Sequence, residues 1–199
     1  PPMMFNNCGN MGLPLMVLAF GEQALPLAVV LFFVENTLHY SLGTWMLDHH
    51  AKLWNLWRVP VIAAAIAGLA VSLLRIELWA PLYIGIKMLG DVSIPLLLFS
   101  LGVRLTDSVS KDVTLGLVGA ALCPLAGMAI AWAMAPLLGV DDMQAGMLLI
   151  FGALPPAVLN YIFAEKYKQE PERVASIVMI GNTASLLFIP LALFFALPR

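Results

Sequence analysis

The chain predicts an all-α polytopic membrane protein with two broken crossover helices, and three observations carry that prediction. The first is composition. Of 199 residues, 61% are hydrophobic and 11% charged, with a mean hydropathy of +0.93. About a quarter of the residues in an ordinary soluble domain are charged, so this chain lacks the polar residues to clothe a soluble surface. The second is a series of apolar segments, each close to the length of a bilayer crossing, separated by short polar connections. The third is Leu154-Pro155-Pro156-Ala157 within one of those segments. Two consecutive prolines withhold two N–H donors and clash with the preceding turn, so an α-helix cannot pass through unbroken. In hydrocarbon a broken helix persists only where its freed groups face protein or a wet cavity.

Seven apolar spans are expected, at 3–20, 24–47, 59–79, 82–103, 113–138, 143–164 and 174–197. The first is interrupted by Asn6-Asn7-Cys8-Gly9-Asn10 and then by Gly12-Leu13-Pro14, and it is short. The chain opens with Pro1-Pro2-Met3-Met4, without a basic leader, and is expected to be a fragment. The sixth span carries the double proline, and Asn160 follows one turn beyond the break. A broken span with a polar residue beside the break is how many transporters build a substrate site at mid-membrane. A single break of this kind could equally be a packing kink, since membrane helices carry proline freely. The second break tips the balance.

Orientation follows from the basic residues. Alternating the connections gathers Lys52, Arg58, Arg104, Lys111, Lys166, Lys168 and Arg173 on one side, against Arg75 and Arg199 on the other. The positive-inside rule makes the first side cytoplasmic and puts Asp141, Asp142 and the C-terminus outside. An internal repeat is also visible. Pro26 is followed ten residues on by Asn36-Thr37, and Pro171 eleven residues on by Asn182-Thr183. The two units are separated by an odd number of spans, so equivalent helices cross in opposite directions, as in an inverted repeat.

Four polar features stand out. Glu35 lies near the middle of the second span with His39 one turn on, and Lys87 and Asp91 share the same spacing in the fourth. Charges at such depth face a cavity or each other, so Glu35 and Asp91 are candidates for H⁺ or Na⁺ coupling, with a structural role as the alternative. His49-His50 beside Asp48 has no partner at ligand spacing and reads as a solvated turn; no metal site is expected. Cys8 and Cys123 form no CxxC and read as structural thiols. A net charge of −2 says little about partners; no basic tract suggests nucleic acid, and none is expected as a partner. An intramembrane aspartyl protease would need a second mid-span aspartate, which the chain lacks, so an enzyme is not expected.

Three stretches resemble one family. Asn7-Cys8-Gly9-Asn10-Met11-Gly12-Leu13-Pro14-Leu15 is similar to the first crossover of the auxin efflux carrier family, an Asn-to-Pro stretch with Gly two before Pro. The stretch from Ala153 through Pro155, Pro156 and Asn160 to Tyr167 resembles its second crossover, and Gly90-Asp91-Val92-Ser93-Ile94-Pro95 through Gly102 its seventh helix. The resemblance implies ten helices in two inverted five-helix repeats, of which this chain would hold about seven, beginning inside helix four. Residues 1–47 would then end the first repeat, 48–58 form the cytoplasmic connection and 59–199 make the second repeat. The short connection resembles bacterial permeases for malonate, malate or other organic anions, which would sit in the bacterial inner membrane. Arg58-Val59-Pro60 lacks the Asn that plant carriers place there, so auxin cannot be carried over as the substrate.

The expected activity is a secondary carrier moving a small mono- or dicarboxylate by alternating access, with the lipid bilayer as its other partner and homodimerisation left open. The alternative is a non-transporting membrane scaffold or an inactive transporter fragment. Asn7, Asn10, Gly12, Pro14, Pro155, Pro156 and Asn160 are the expected substrate-binding residues. The physical ground is that half-helix N-termini offer partial positive charge to an anion, and asparagines add directed hydrogen bonds.

Overall fold

The structure is a computed structural model, and it describes residues 2–49, 60–106 and 112–197. Lys52, Arg58, His50, Lys111 and Arg199, used above for orientation and metal binding, lie outside the described residues. A π-helical turn, Cys8–Gly12, leads into helix α1 (Leu13–Phe20). Helix α2 (Leu25–Leu38) continues through a second π-helical turn, His39–Gly43, into α3 (Thr44–Leu47). There follow α4 (Pro60–Leu73), α5 (Ala80–Thr106), α6 (Val113–Leu138), α7 (Asp142–Ala153), α8 (Val158–Lys166) and α9 (Pro171–Ala196). The stretches Glu22–Leu47, Val113–Leu138 and Pro171–Ala196 are each 26 residues long and apolar enough to cross a membrane. All regular structure among the described residues is helical, save one bridge described below. The chain is thus an all-α membrane protein.

Local chemistry sets most helix ends. Asp141 opens α7 with a capping box, accepting from the Gln144 amide at 2.8 Å while Gln144 accepts from the Asp141 amide. Gly139 closes α6 in the left-handed conformation. Two ends close on basic residues instead. Arg75 and Lys168 both have positive φ, at 50° and 54°. Around each, the paired bonds of a Schellman closure form: Ile76 N–H to Val71 O and Arg75 N–H to Ser72 O, then Gln169 N–H to Ala164 O and Lys168 N–H to Glu165 O. The first closure corrects the sequence reading of the third span. Helix was expected to continue to residue 79 on hydropathy, yet it ends at Leu73.

The core is built where α1, α2, α6, α7 and α9 meet. Met16, Ala24, Ala28 and Met147 pack together, and beside them Cys8, Ile150, Ala153, Leu154, Ile189, Ala192 and Ala196 form a second cluster. Small residues let backbones touch, as at many membrane helix interfaces. A Cβ on Gly127 of α6 would lie 2.1 Å from the Gly152 carbonyl oxygen of α7, and one on Gly152 would lie 2.4 Å from that of Gly127. Helices α4 and α5 contribute little to this core. Lys87 and Asp91 meet on α5 in an ion pair at 2.9 Å, with side chains 58% and 62% exposed.

Candidate functional site

The second break falls where the prolines require it. Helix α7 ends at Ala153, Leu154 and Ala157 are extended, and α8 starts at Val158. The first break differs from expectation. Gly12, Leu13 and Pro14 are helical, so the irregular stretch ends at Asn7 rather than at Pro14. The π-helical turn explains this: the Met11 and Gly12 amides both reach Asn7 O, at 3.2 and 3.0 Å. Pro14 then falls in the first turn of α1, where proline is tolerated.

The two breaks lie against each other and run antiparallel, Asn6 opposite Pro156. Asn7 N–H donates to Pro155 O at 2.7 Å and Ala157 N–H to Phe5 O at 3.0 Å. Side chains complete the clasp. Pro155 has no N–H to offer Phe151 O, and Asn6 Nδ2 donates to that carbonyl at 2.7 Å. Asn160 Nδ2 donates to Phe5 O at 2.9 Å. Asn182 Nδ2 donates to Pro156 O at 3.0 Å, and its Oδ1 accepts from Asn7 Nδ2 at 2.9 Å. Phe5 O, Phe151 O, Pro155 O and Pro156 O, and the Asn7 and Ala157 amides, are therefore met by protein, as a hydrocarbon setting favours.

A cavity of about 260 Å³ opens beside the clasp. Its walls include the first turn of the leading helix (Cys8, Gly9, Asn10), the first turn of α8 (Val158, Leu159), and Glu35, Asn36 and His39 from the second span. First-turn amides have no intrahelical acceptor, so two half-helix N-termini open on one space. Glu35 and His39 are 8% and 3% exposed. The Cys8 thiol and the Asn6 backbone N–H approach the Glu35 carboxyl, but neither of its oxygens has a well-formed hydrogen bond. His39 stacks on Phe5 with ring centroids 4.2 Å apart and meets the edge of Phe163 at 5.1 Å. It also lines a second cavity of about 350 Å³, with Asn160 and Arg173.

The expected site residues thus separate into three groups. Asn7 and Asn10 line the first cavity, and Asn160 lines the second. Gly12, Pro14, Pro155 and Pro156 are buried in the packing behind them. The Nδ2 donors of Asn7 and Asn160 serve the clasp. Glu35 faces the first cavity, whereas Asp91 lies in its exposed pair with Lys87 and is on neither cavity wall. Sequence reasoning passed over Asn6, Asn36 and Asn182 as site residues. The repeated Asn-Thr pair was the available signal: Asn36 Nδ2 contacts Cys8 Sγ at 3.7 Å in the first break, as Asn182 contacts Pro156 in the second. Among the described residues no group of three or more His, Cys, Asp or Glu could hold a metal ion.

Comparison with known proteins agrees with this architecture. The family model described as membrane transport protein matches residues 49–193. An uncharacterized transporter of Methanocaldococcus jannaschii is 24% identical over 94% of this chain and 64% of its own length. A Rhizobium meliloti protein provisionally named a malonate transporter is 24% identical over 92% of this chain and 61% of its own. Auxin efflux carrier component 6 of Arabidopsis thaliana is 23% identical over 85% of this chain and 29% of its own length. The chain thus spans under two thirds of the length of these relatives. No solved structure matches it. With the family model covering well over half of the residues, the chain belongs to the membrane transport protein family, that of the auxin efflux carriers.

Proposed function

We propose that this protein is a secondary carrier that moves a small organic anion by alternating access around the clasped breaks. One observation carries the reading: two half-helix N-termini open on a single cavity of about 260 Å³. Each contributes about half a positive charge, and no lysine or arginine among the described residues lines the cavity. A carboxylate group fits that chemistry, and the name of the Rhizobium relative points to a dicarboxylate. The Asn7 and Asn160 amides act here by holding the first-turn N–H groups in place rather than by donating to the anion. Asn10, which also lines the cavity, is the asparagine placed to donate directly.

Counterflow tests the reading. The full-length protein in liposomes preloaded with malonate, succinate or acetate should take up the same labelled anion faster than unloaded liposomes do. Absence of counterflow with every carboxylate would favour the scaffold alternative. The proposed orientation places the 165–173 connection in the cytoplasm. A single cysteine at Lys168 should label only from that side and one at Asp141 only from the other, in a background lacking Cys8 and Cys123. Labelling of both from one side would overturn the orientation.

A further inference from the structure

Five buried polar side-chain atoms among the described residues have no well-formed hydrogen bond, and all are oxygens: Asn6 Oδ1, both carboxyl oxygens of Glu35, which the Cys8 thiol and the Asn6 backbone N–H approach, Thr37 Oγ1, and Asn160 Oδ1, which His39 approaches. Swapping the amide ends does not relieve them. Asn6 Nδ2 and Asn160 Nδ2 already donate to carbonyls at 2.7 and 2.9 Å, contacts that an oxygen could not make. Four of the five are amide or carboxyl oxygens, a local surplus of acceptors, and the Thr37 hydroxyl can also donate. Asn6 and Glu35 line the cavity into which the two helix N-termini open.

Charge arithmetic gives this surplus a meaning. Two helix N-termini together supply about one positive charge. That suffices for an ionised Glu35 or for one substrate carboxylate, and not for both. Other titratable groups facing Glu35 are few. The Cys8 thiol abuts it from the first break, and Cys123 of α6 lies within electrostatic reach. His39, one turn along the same span, shares the cavity wall. No lysine or arginine among the described residues does.

We propose that Glu35 is the counter-charge of the anion site: an anion occupies the cavity only together with one small cation, H⁺ or Na⁺, held at Glu35. This inference rests on the carrier reading above and adds its energy coupling. The cation comes from the solution on the loading side and leaves with the anion on the other, so Glu35 is unchanged over a cycle. Two uncompensated negative charges about 6 Å apart, at an effective dielectric near 20, weaken binding by about a hundredfold.

Malonate, succinate and acetate binding to the purified full-length protein tests the proposal, at about pH 6.5 and pH 8.5, in Na⁺ or in N-methylglucamine. If the cation is a proton, affinity falls as pH rises, by up to about tenfold per unit. If it is Na⁺, affinity at fixed pH rises with Na⁺ instead. Glu35→Gln should bind with an affinity insensitive to both. A Glu35→Gln protein that keeps the wild-type dependence overturns the proposal and transfers the role to His39. Linkage is reciprocal, so the wild-type protein gives a second readout that needs no variant. Adding anion should draw a proton from weak buffer, or ²²Na⁺ from solution. Anion binding without uptake of either overturns the proposal and leaves the carrier reading standing. No binding of any of the three anions under all four conditions overturns both.

Discussion

The two breaks do the same job by opposite means. The second is made by covalent chemistry: Pro155 and Pro156 have no N–H groups, and the chain from Leu154 to Ala157 is extended wherever it finds itself. The first contains no proline between Met3 and Asn7, where it lies against the second. It is made by Asn6 and Asn7, whose side chains and backbone bond across to Phe151, Pro155 and Asn182, and by a π-helical turn that absorbs the change of register. One break is therefore intrinsic and the other is induced by its neighbour. A rigid template and an adaptable partner together satisfy backbone groups that neither could satisfy alone.

The strongest way to break this comparison is to remove the template. Pro155→Ala with Pro156→Ala restores the donors for Phe151 O and Gly152 O, permits a continuous helix and leaves the Asn7 amide without its acceptor. Anion exchange in liposomes should be abolished although the helix itself gains stability. Normal exchange would reduce the second break to a packing kink. Next in size is Gly127→Ala. Its methyl would meet the Gly152 carbonyl at 2.1 Å, a backbone atom that cannot swing aside, and the two helices must part. Thermal unfolding in detergent should show a loss of about 1–3 kcal/mol. Gly12→Ala meets only the Leu154 Cδ1 tip, at 2.8 Å, and should cost less. Equal losses would show that packing at the two positions is not distinguished by backbone contact.

The paired asparagines sharpen the comparison further. Asn182→Ala strands Pro156 O and Asn7 Nδ2 in a buried site, which costs about 1–3 kcal/mol for each unmet group. Asn36→Ala removes a weak contact to sulfur and a bond to its own helix, so its effect on the same unfolding curve should be smaller. A reversed order would make the first break the more tightly held. Smallest of all should be Asp91→Asn. Its pair with Lys87 is exposed and lies on neither cavity wall, so exchange and accumulation should match the wild type. Loss of accumulation alone would return Asp91 to the coupling mechanism.

The intrinsic break was legible in sequence and the induced one only partly so, for the same reason. Proline acts on its own backbone, so Pro155-Pro156 fixes the end of α7 without knowledge of any neighbour. The end of the first break depends on a widened turn and on partners far along the chain, and sequence placed it seven residues late, at Pro14 instead of Asn7. The third span was overextended because hydropathy continues past Leu73, whereas the helix closes on a left-handed arginine, a position usually marked by glycine. Glu35 was legible as an unusual charge in an apolar span. The role against the anion that we propose for it was not, because that requires counting which acceptors remain after the others are paired.

The clasp also bears on how the protein is made. The side-chain hydrogen bonds that join the first break to the rest of the clasp span 145 to 175 residues, so the first break reaches these partners only after synthesis has passed Asn182. Until α7 and α9 enter the bilayer, Asn6 and Asn7 need temporary partners, whether water, the insertion machinery or a chaperone. Closing the clasp is then a late checkpoint of biosynthesis. A chain halted before Pro155 would leave the Asn7 amide and Phe5 O without these partners in the membrane.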